Sequence, residues 1–348
     1  MFDLTKLVRE NIQKVVPYSS ARDEFTGEEA IFLDANENPI TSLAANTYNR
    51  YPDPHQRKLK QKISPIKKVA PENIFLGNGS DEPIDLLIRA FCEPKEDEIL
   101  ILPPTYGMYK VCAAIQDVAI NTVPLDAAYD LQLDKVLAAC NSNTKIIFVC
   151  TPNNPTGNSI SKDKIHQLLS SFDGLVVVDE AYIDFSEQES FIRELERYPN
   201  LVILHTFSKA WGMAALRLGM CFASQEIIQL LTKIKFPYNI NQATIDLAMK
   251  SLDRVEEMKT LVQNINTERE RLKEELSKLA CVLEIYPSET NFLLVKVTQP
   301  KKIHTELMEK GVIVRDRSNV IACEGCLRIS IGTKEENDTL LNLLKANA

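Results

Sequence analysis

The chain has 348 residues, 45% of them hydrophobic and 25% charged, with a formal net charge of −8. That length exceeds one ordinary core and implies a larger and a smaller unit. The acidic balance argues against a general nucleic-acid surface, and eight scattered cysteines do not make a disulfide scaffold.

Residues 1–29 carry no long apolar run. Neither a signal peptide nor a membrane span is expected, and the setting is read as reduced and cytoplasmic. This stretch reads as a helix-and-loop arm that packs with the smaller domain or a partner subunit. Residues 30–240 then alternate between two patterns. Short apolar runs at 74–77, 98–102, 145–150, 175–179 and 201–206 predict strands, and helical patterns fall near 81–93, 161–171 and 224–235. Continuous apolar strands suit a sheet covered on both faces. The alternation predicts an α/β domain with a mainly parallel sheet. After Pro237 the pattern changes. Residues 240–280 read as one long charged amphipathic helix, followed by strand candidates at 292–297, 311–316 and 327–332. Residues 241–348 are therefore expected to form a smaller α+β domain.

Three strand ends carry polar chemistry. In "LGNGSDEPIDLLIRAF" a strand runs through Gly77 and Gly79 into Ser80, Asp81 and a helix. Free backbone N–H groups there suit an anion, although Ser80 as an N-cap before an acidic first turn is equally an ordinary helix start. In "VVVDEAYIDF" a strand ends at Asp179 and Glu180, with Tyr182 beyond. Residues past the carboxyl ends of parallel strands line ligand crevices. A carboxylate there fits a protonated ring nitrogen, a metal or a plain cap. "CTPNNPTGNSI" brings Asn153 and Asn154 to the same edge. In "HTFSKAWGMAALRLG", Lys209 and Arg217 sit in an otherwise apolar segment. Burial lowers a lysine pKa and makes the amine a nucleophile toward carbonyls, and an arginine clamps phosphate bidentately. Singly, each reads as a surface cation. Together, an aspartate, a lysine, an anion-binding turn and an arginine are the parts a pyridoxal phosphate site requires. Cys323 and Cys326 have zinc-like spacing but lack a second pair, so they read as small core residues and no metal is expected.

"NPTG" at 154–157, "DEAY" at 179–182 and "SKAWGMAALRLG" at 208–219 resemble the fold-type I pyridoxal-phosphate aminotransferases. "ARDEF", "LDANENP", "NRYPDP", "GNGSDEPIDLLIRAFCEP", "PPTYGMY" and "CLRISIGT" come in the order of that family's histidinol-phosphate branch, from about Tyr18 to Gly332. The resemblance implies pyridoxal 5'-phosphate as cofactor, held covalently by Lys209, which also moves the substrate proton. It implies that Asp179 pairs with the ring nitrogen, Asn154 and Tyr182 bond the ring oxygen, and Tyr106 stacks on the ring. Gly79, Ser80, Asp81, Thr206, Ser208 and Arg217 would surround the phosphate. Tyr51 would reach the phosphate of a neighbouring subunit, implying a homodimer with shared sites. Tyr18, Arg315 and Arg328 would bind substrate. Trp211 and Ala215 stand where phenylalanine and glycine are common. The implied reaction is transamination of L-histidinol phosphate with 2-oxoglutarate. The rivals are an aromatic amino-acid aminotransferase, a decarboxylase of a phosphorylated amino acid, and a non-enzymatic binding protein.

Overall fold

Runs of Val, Ile and Leu at 144–150, 175–179 and 201–206 pack well on a pleated surface and leave no polar face to solvate. In the computed structural model these runs are central strands, buried at every position but the half-buried Lys145. The structure describes residues 2–17, 31, 33–44 and 48–345.

Among these residues the strands form two sheets. The first contains β1 (Ile74–Asn78), β2 (Glu98–Ile101), β3 (Ala119–Thr122), β4 (Thr144–Cys150), β5 (Leu175–Asp179), β6 (Leu201–Thr206) and β7 (Leu218–Phe222), ordered β1-β7-β6-β5-β4-β2-β3. Every neighbouring pair is parallel except those made by β7, which runs antiparallel to both β1 and β6. The second sheet is antiparallel, with β8 (Val282–Ile285), β9 (Phe292–Val297), β10 (Arg315–Asp316) and β11 (Cys326–Ser330) in the order β10-β11-β9-β8.

Side chains of a strand alternate between its faces, and the large sheet has two cores for that reason. Ile147, Val149, Val176, Val178 and Ile203 pack on one side. Ile146, Phe148, Leu175, Val177 and Leu204 pack on the other. The smaller sheet builds a third cluster from Leu293, Val295, Leu327 and Ile329 against Leu272 and Leu276 of the helix Val255–Ser277.

Some elements differ from expectation. The helical stretch after Pro237 is two helices, Gln242–Ser251 and Val255–Ser277, with a 3₁₀ turn at Leu252–Arg254 between them. Leu252 is buried at that turn, and Asp253 is tied to Lys62 at 2.7 Å. Of 311–316 only Arg315–Asp316 pairs as strand. Gly311 takes φ +80° and closes the preceding helix, with Val312 N–H donating back to Leu307 O at 2.9 Å. The described part of the N-terminal arm seats on the helix layer of the large sheet, not on the smaller sheet. Val8 and Ile12 are buried there, and Arg9 donates to Glu93 Oε2 at 2.9 Å and to Arg89 O at 2.9 Å.

The antiparallel run of β7 lets the segment carrying Lys209 and Arg217 fold back beside the end of β1. Gly79 N–H donates to Arg217 O at 2.7 Å. A Cβ on Gly219 would lie 2.2 Å from Gly79 C and 2.4 Å from Ser80 N, so only glycine admits this approach of two backbones. Gly219→Ala is therefore expected to destabilise the protein by about 1–3 kcal/mol. Urea unfolding should read this as a lower midpoint with unchanged slope.

Candidate active site

The carboxyl ends of β1, β4, β5 and β6 meet at one edge of the large sheet, with Cys150 paired to Asp179 and Asp179 to Leu204. Loops leaving these ends bound a cavity of about 950 Å³. Gly79, Ser80, Asp81, Tyr106, Asn154, Asp179, Tyr182, Thr206, Ser208, Lys209, Arg217, Arg315 and Arg328 all line it. One residue singled out from the sequence is elsewhere. Tyr51 lies half-exposed outside the cavity, its ring stacked on Tyr238 at 4.5 Å. Tyr18 falls outside the described residues.

Asp179 forms the floor. It ends a central strand and is 2% exposed. Tyr109 OH donates to its Oδ2 at 2.7 Å and Ala181 N–H to its Oδ1 at 3.1 Å. Burial raises its pKa to about 6, and these two hydrogen bonds oppose the rise. Tyr109 did not stand out in the sequence. It sits three positions after Tyr106 in "PPTYGMY", fully buried, with its ring stacked on Phe148 at 4.5 Å. Tyr106 is half-buried, meets Tyr109 edge-on, and donates to Asp81 Oδ1 at 3.0 Å.

One end of the cavity is a cup for an anion. Gly79 has φ +69°, which favours glycine for its backbone, and a Cβ there would lie 2.6 Å from Arg217 Nη2 and so displace the end of that side chain. Ser80 occupies the N-cap of the helix Asp81–Phe91, but its hydroxyl makes no capping bond. The first-turn N–H groups are left for another acceptor. Arg217 itself adopts a left-handed backbone, φ +50°. Such a conformation in a non-glycine residue costs on the order of 1–3 kcal/mol and is held by its surroundings. Here it turns the guanidinium toward the cup, where its contacts are long: 3.4 Å to Ser208 Oγ and 3.4 Å to Asp81 Oδ2. Thr206 Oγ1 accepts from Ser208 N–H at 3.0 Å and shapes the same loop.

Lys209 stands between floor and cup, with its Nζ 5.6 Å from the centre of the Tyr182 ring. Its pKa is lowered, first by desolvation and then by the guanidinium groups of Arg328 and Arg217. Both effects favour the neutral, nucleophilic amine. Asn154 is buried, and its Oδ1 accepts from Arg328 Nη1 at 2.5 Å. Its neighbour Asn153 is spent on the loop instead, donating to Pro104 O and Thr156 Oγ1. Tyr182 is buried edge-on against Phe292. Arg328 lies over the Phe292 ring at 5.3 Å. Arg317 also lines the cavity and was not read from the sequence, because its position depends on strand pairing. The Nε atoms of Arg317 and Arg328 are buried without a hydrogen-bond partner. Cys323 and Cys326 are both fully buried in the core.

These features fit pyridoxal phosphate by the chemistry of their donors. A glycine cup with first-turn amides and an arginine suits a phosphate monoester. A buried carboxylate suits a cationic ring nitrogen, and a desolvated amine suits an aldehyde.

Asp179 gives a test of this site independent of turnover. Its carboxyl pKa is higher in the folded chain, about 6 against 3.8, so its contribution to stability is full below pH 3.8 and is lost as pH rises through about 6. The difference corresponds to roughly 3 kcal/mol. In the cofactor-free protein, Asp179→Asn is expected to raise thermal stability at pH 8, with the gain disappearing near pH 4.

Comparison with known proteins agrees with this geometry. The profile of the family described as "Aminotransferase class I and II" matches residues 24–344. The chain is 57% identical over 344 residues to a histidinol-phosphate aminotransferase of Cytophaga hutchinsonii, covering 99% of each chain. It is 52% identical over 346 residues to one of Bacteroides thetaiotaomicron, again covering 99% of each. Among solved structures, the histidinol-phosphate aminotransferase of Clostridium acetobutylicum superposes with a TM-score of 0.79 at 26% identity, over 86% of this chain and 91% of that one. With identity of this extent along its whole length, and with lysine, aspartate and arginine gathered at the strand ends, the chain belongs to the class I and II aminotransferases, in the histidinol-phosphate aminotransferase family.

Proposed function

We propose that this chain catalyses pyridoxal-phosphate-dependent transfer of an amino group between L-histidinol phosphate and 2-oxoglutarate, a step of histidine biosynthesis. The observation that carries the reading is the placing of Lys209 between the Asp179 floor and the Gly79–Arg217 cup in one cavity. When bound, pyridoxal phosphate supplies an electron sink for the charge left when the substrate carbon loses its proton.

The protein's own residues do the rest. Lys209 Nζ would hold the cofactor covalently between turnovers. With that bond given up to substrate, Lys209 Nζ would take the proton from the carbon bearing the amino group and return it at the other end of the transfer. Asp179 would hold the ring nitrogen in its protonated form, and Tyr109 orients that carboxylate through the 2.7 Å hydrogen bond. Asn154 and Tyr182 bond the ring oxygen. Tyr106 covers the ring. The amides of Gly79, Ser80 and Asp81, with Thr206, Ser208 and Arg217, bind the cofactor's phosphate. Arg315 and Arg328 bind the substrate's phosphate in one half-reaction and the carboxylates of glutamate or 2-oxoglutarate in the other.

We assign residues 30–240 to the cofactor-bearing domain, 241–348 to the smaller domain, and 1–29 to an arm that includes Tyr18. The working form is a cytoplasmic homodimer in which Tyr51 reaches a neighbouring site. Its support is the half-exposed position of Tyr51 away from its own cavity. Among the described residues no helix is long and apolar enough to cross a membrane.

The test is a half-reaction. Holoenzyme mixed with L-histidinol phosphate alone should release imidazole-acetol phosphate in an amount equal to its sites before any 2-oxoglutarate is added. Strictly sequential kinetics would overturn the reading. Release of carbon dioxide from a phosphorylated amino acid would favour a decarboxylase, and a preference for phenylalanine would favour the aromatic aminotransferase. Lys209→Ala should lower the rate of the half-reaction by at least about 10²–10⁴-fold.

A further inference from the structure

The edge of the smaller sheet carries more positive charge than a two-arginine substrate site uses. β10 and β11 place Arg315 directly across from Arg328. Residues so paired project from the same face, and like charges in that arrangement repel. Arg317 lies two positions beyond Arg315 and so shares its face. Its own N–H continues the ladder, donating to Cys326 O at 2.9 Å. All three arginines line the cavity. Asp316, between the two arginines in sequence, does not neutralise them. Its Oδ1 accepts from Ser318 N–H at 2.8 Å, and its basic neighbours are His304 and Lys301.

No carboxylate among the described residues forms an ion pair with any of the three arginines. The charges acting on Arg317 are chiefly Arg328 and Arg315, and its Nε is buried without a partner. A surface arginine would relieve this by turning to solvent or to an acid. Arg315 reaches solvent, but Arg317 and Arg328 are part-buried, each with an unpartnered Nε, and three like charges at one cavity wall suit an anion that enters the cavity.

Resting on the proposed substrate, we infer that Arg317 is a third anion-binding residue of the substrate cavity, serving the dianionic phosphate of the phosphorylated substrate more than the dicarboxylate. The chemistry separates the two ligands. A phosphate monoester gathers about −1.5 to −2 of charge and three acceptor oxygens at one point. Several guanidinium groups on one face can bond it together. A five-carbon dicarboxylate spreads two single charges along a chain, and each carboxylate is filled by one arginine fork.

Arg317→Gln and Arg317→Lys holoenzymes test this, with thermal unfolding confirming that each is folded. Arg317→Gln should raise KM for L-histidinol phosphate about 10–100-fold, as expected for loss of a charge-assisted hydrogen bond. The change in kcat should be smaller, and KM for glutamate should stay within about twofold. Arg317→Lys should recover part of the loss. Inorganic phosphate, measured as a competitive inhibitor of the glutamate half-reaction, should weaken in parallel. An unchanged KM for the phosphorylated substrate overturns the inference, and so does an equal or larger loss on glutamate. If the wild-type holoenzyme does not turn over L-histidinol phosphate, the functional reading falls, while weaker inhibition by inorganic phosphate in Arg317→Gln would still support the anion-binding role.

Discussion

The burial of Asp179 is the constraint on which the rest of the site depends. A carboxylate at the end of a central strand, almost without solvent, is costly unless it is hydrogen-bonded and faces a positive charge. Tyr109 and the Ala181 amide provide two hydrogen bonds. A charge partner must come from the cavity. The strand that carries Asp179 is buried on both faces because parallel sheets are covered by helices. The fold thus both isolates the carboxylate and opens it at one edge, where a cationic ring nitrogen can meet it.

The cavity is polarised from floor to wall. Asp179 is its buried acid, and Arg217, Arg315, Arg317, Arg328 and Lys209 supply the positive side. Lys209 stands between the two and is pulled toward its neutral form by desolvation and by its arginine neighbours, against the opposing influence of Asp179 and Asp81. A chain with net charge −8 thus still gathers a cluster of cations around one cavity. Such focusing in a low-dielectric cleft raises local anion concentration without making the surface basic.

The central strands and the residues at their ends were legible in the sequence because burial on both faces imposes an unbroken apolar run. β3 and β8 were not. Ala119–Thr122 is an edge strand with a polar half, and Val282–Ile285 is another edge with exposed positions. β7 was missed for a different reason. Leu218–Phe222 contains no β-branched residue, and Gly219 is there to admit the backbone of Gly79. A contact between residues so far apart in the chain leaves no local periodicity. Tyr109 and Arg317 were missed in the same way, since each becomes informative only once a buried partner or a strand register is known. Lys209, Asp179 and Arg217 could be singled out because a charge in an apolar segment is unusual in itself.

What joins the two sheets into one site is a small set of contacts of long sequence range. Arg328, on the smaller sheet, bonds Asn154, on the loop after β4. Phe292 and Leu294 of β9 enter the same core cluster as Val176 and Val178 of β5. Phe292 meets both Tyr182 and Arg328 through its ring. These contacts tie the arginine-bearing sheet to the loops that carry Asn154 and Tyr182. On the proposed function, a phosphorylated substrate held at that face would have its amino-bearing carbon positioned by packing, not by chance encounter. Orientation of that kind accounts for a large share of the barrier lowering available to an enzyme. On the proposed function the smaller sheet would position the substrate as well as supply binding charge, and its edge carries paired arginines that repel one another until an anion lies between them.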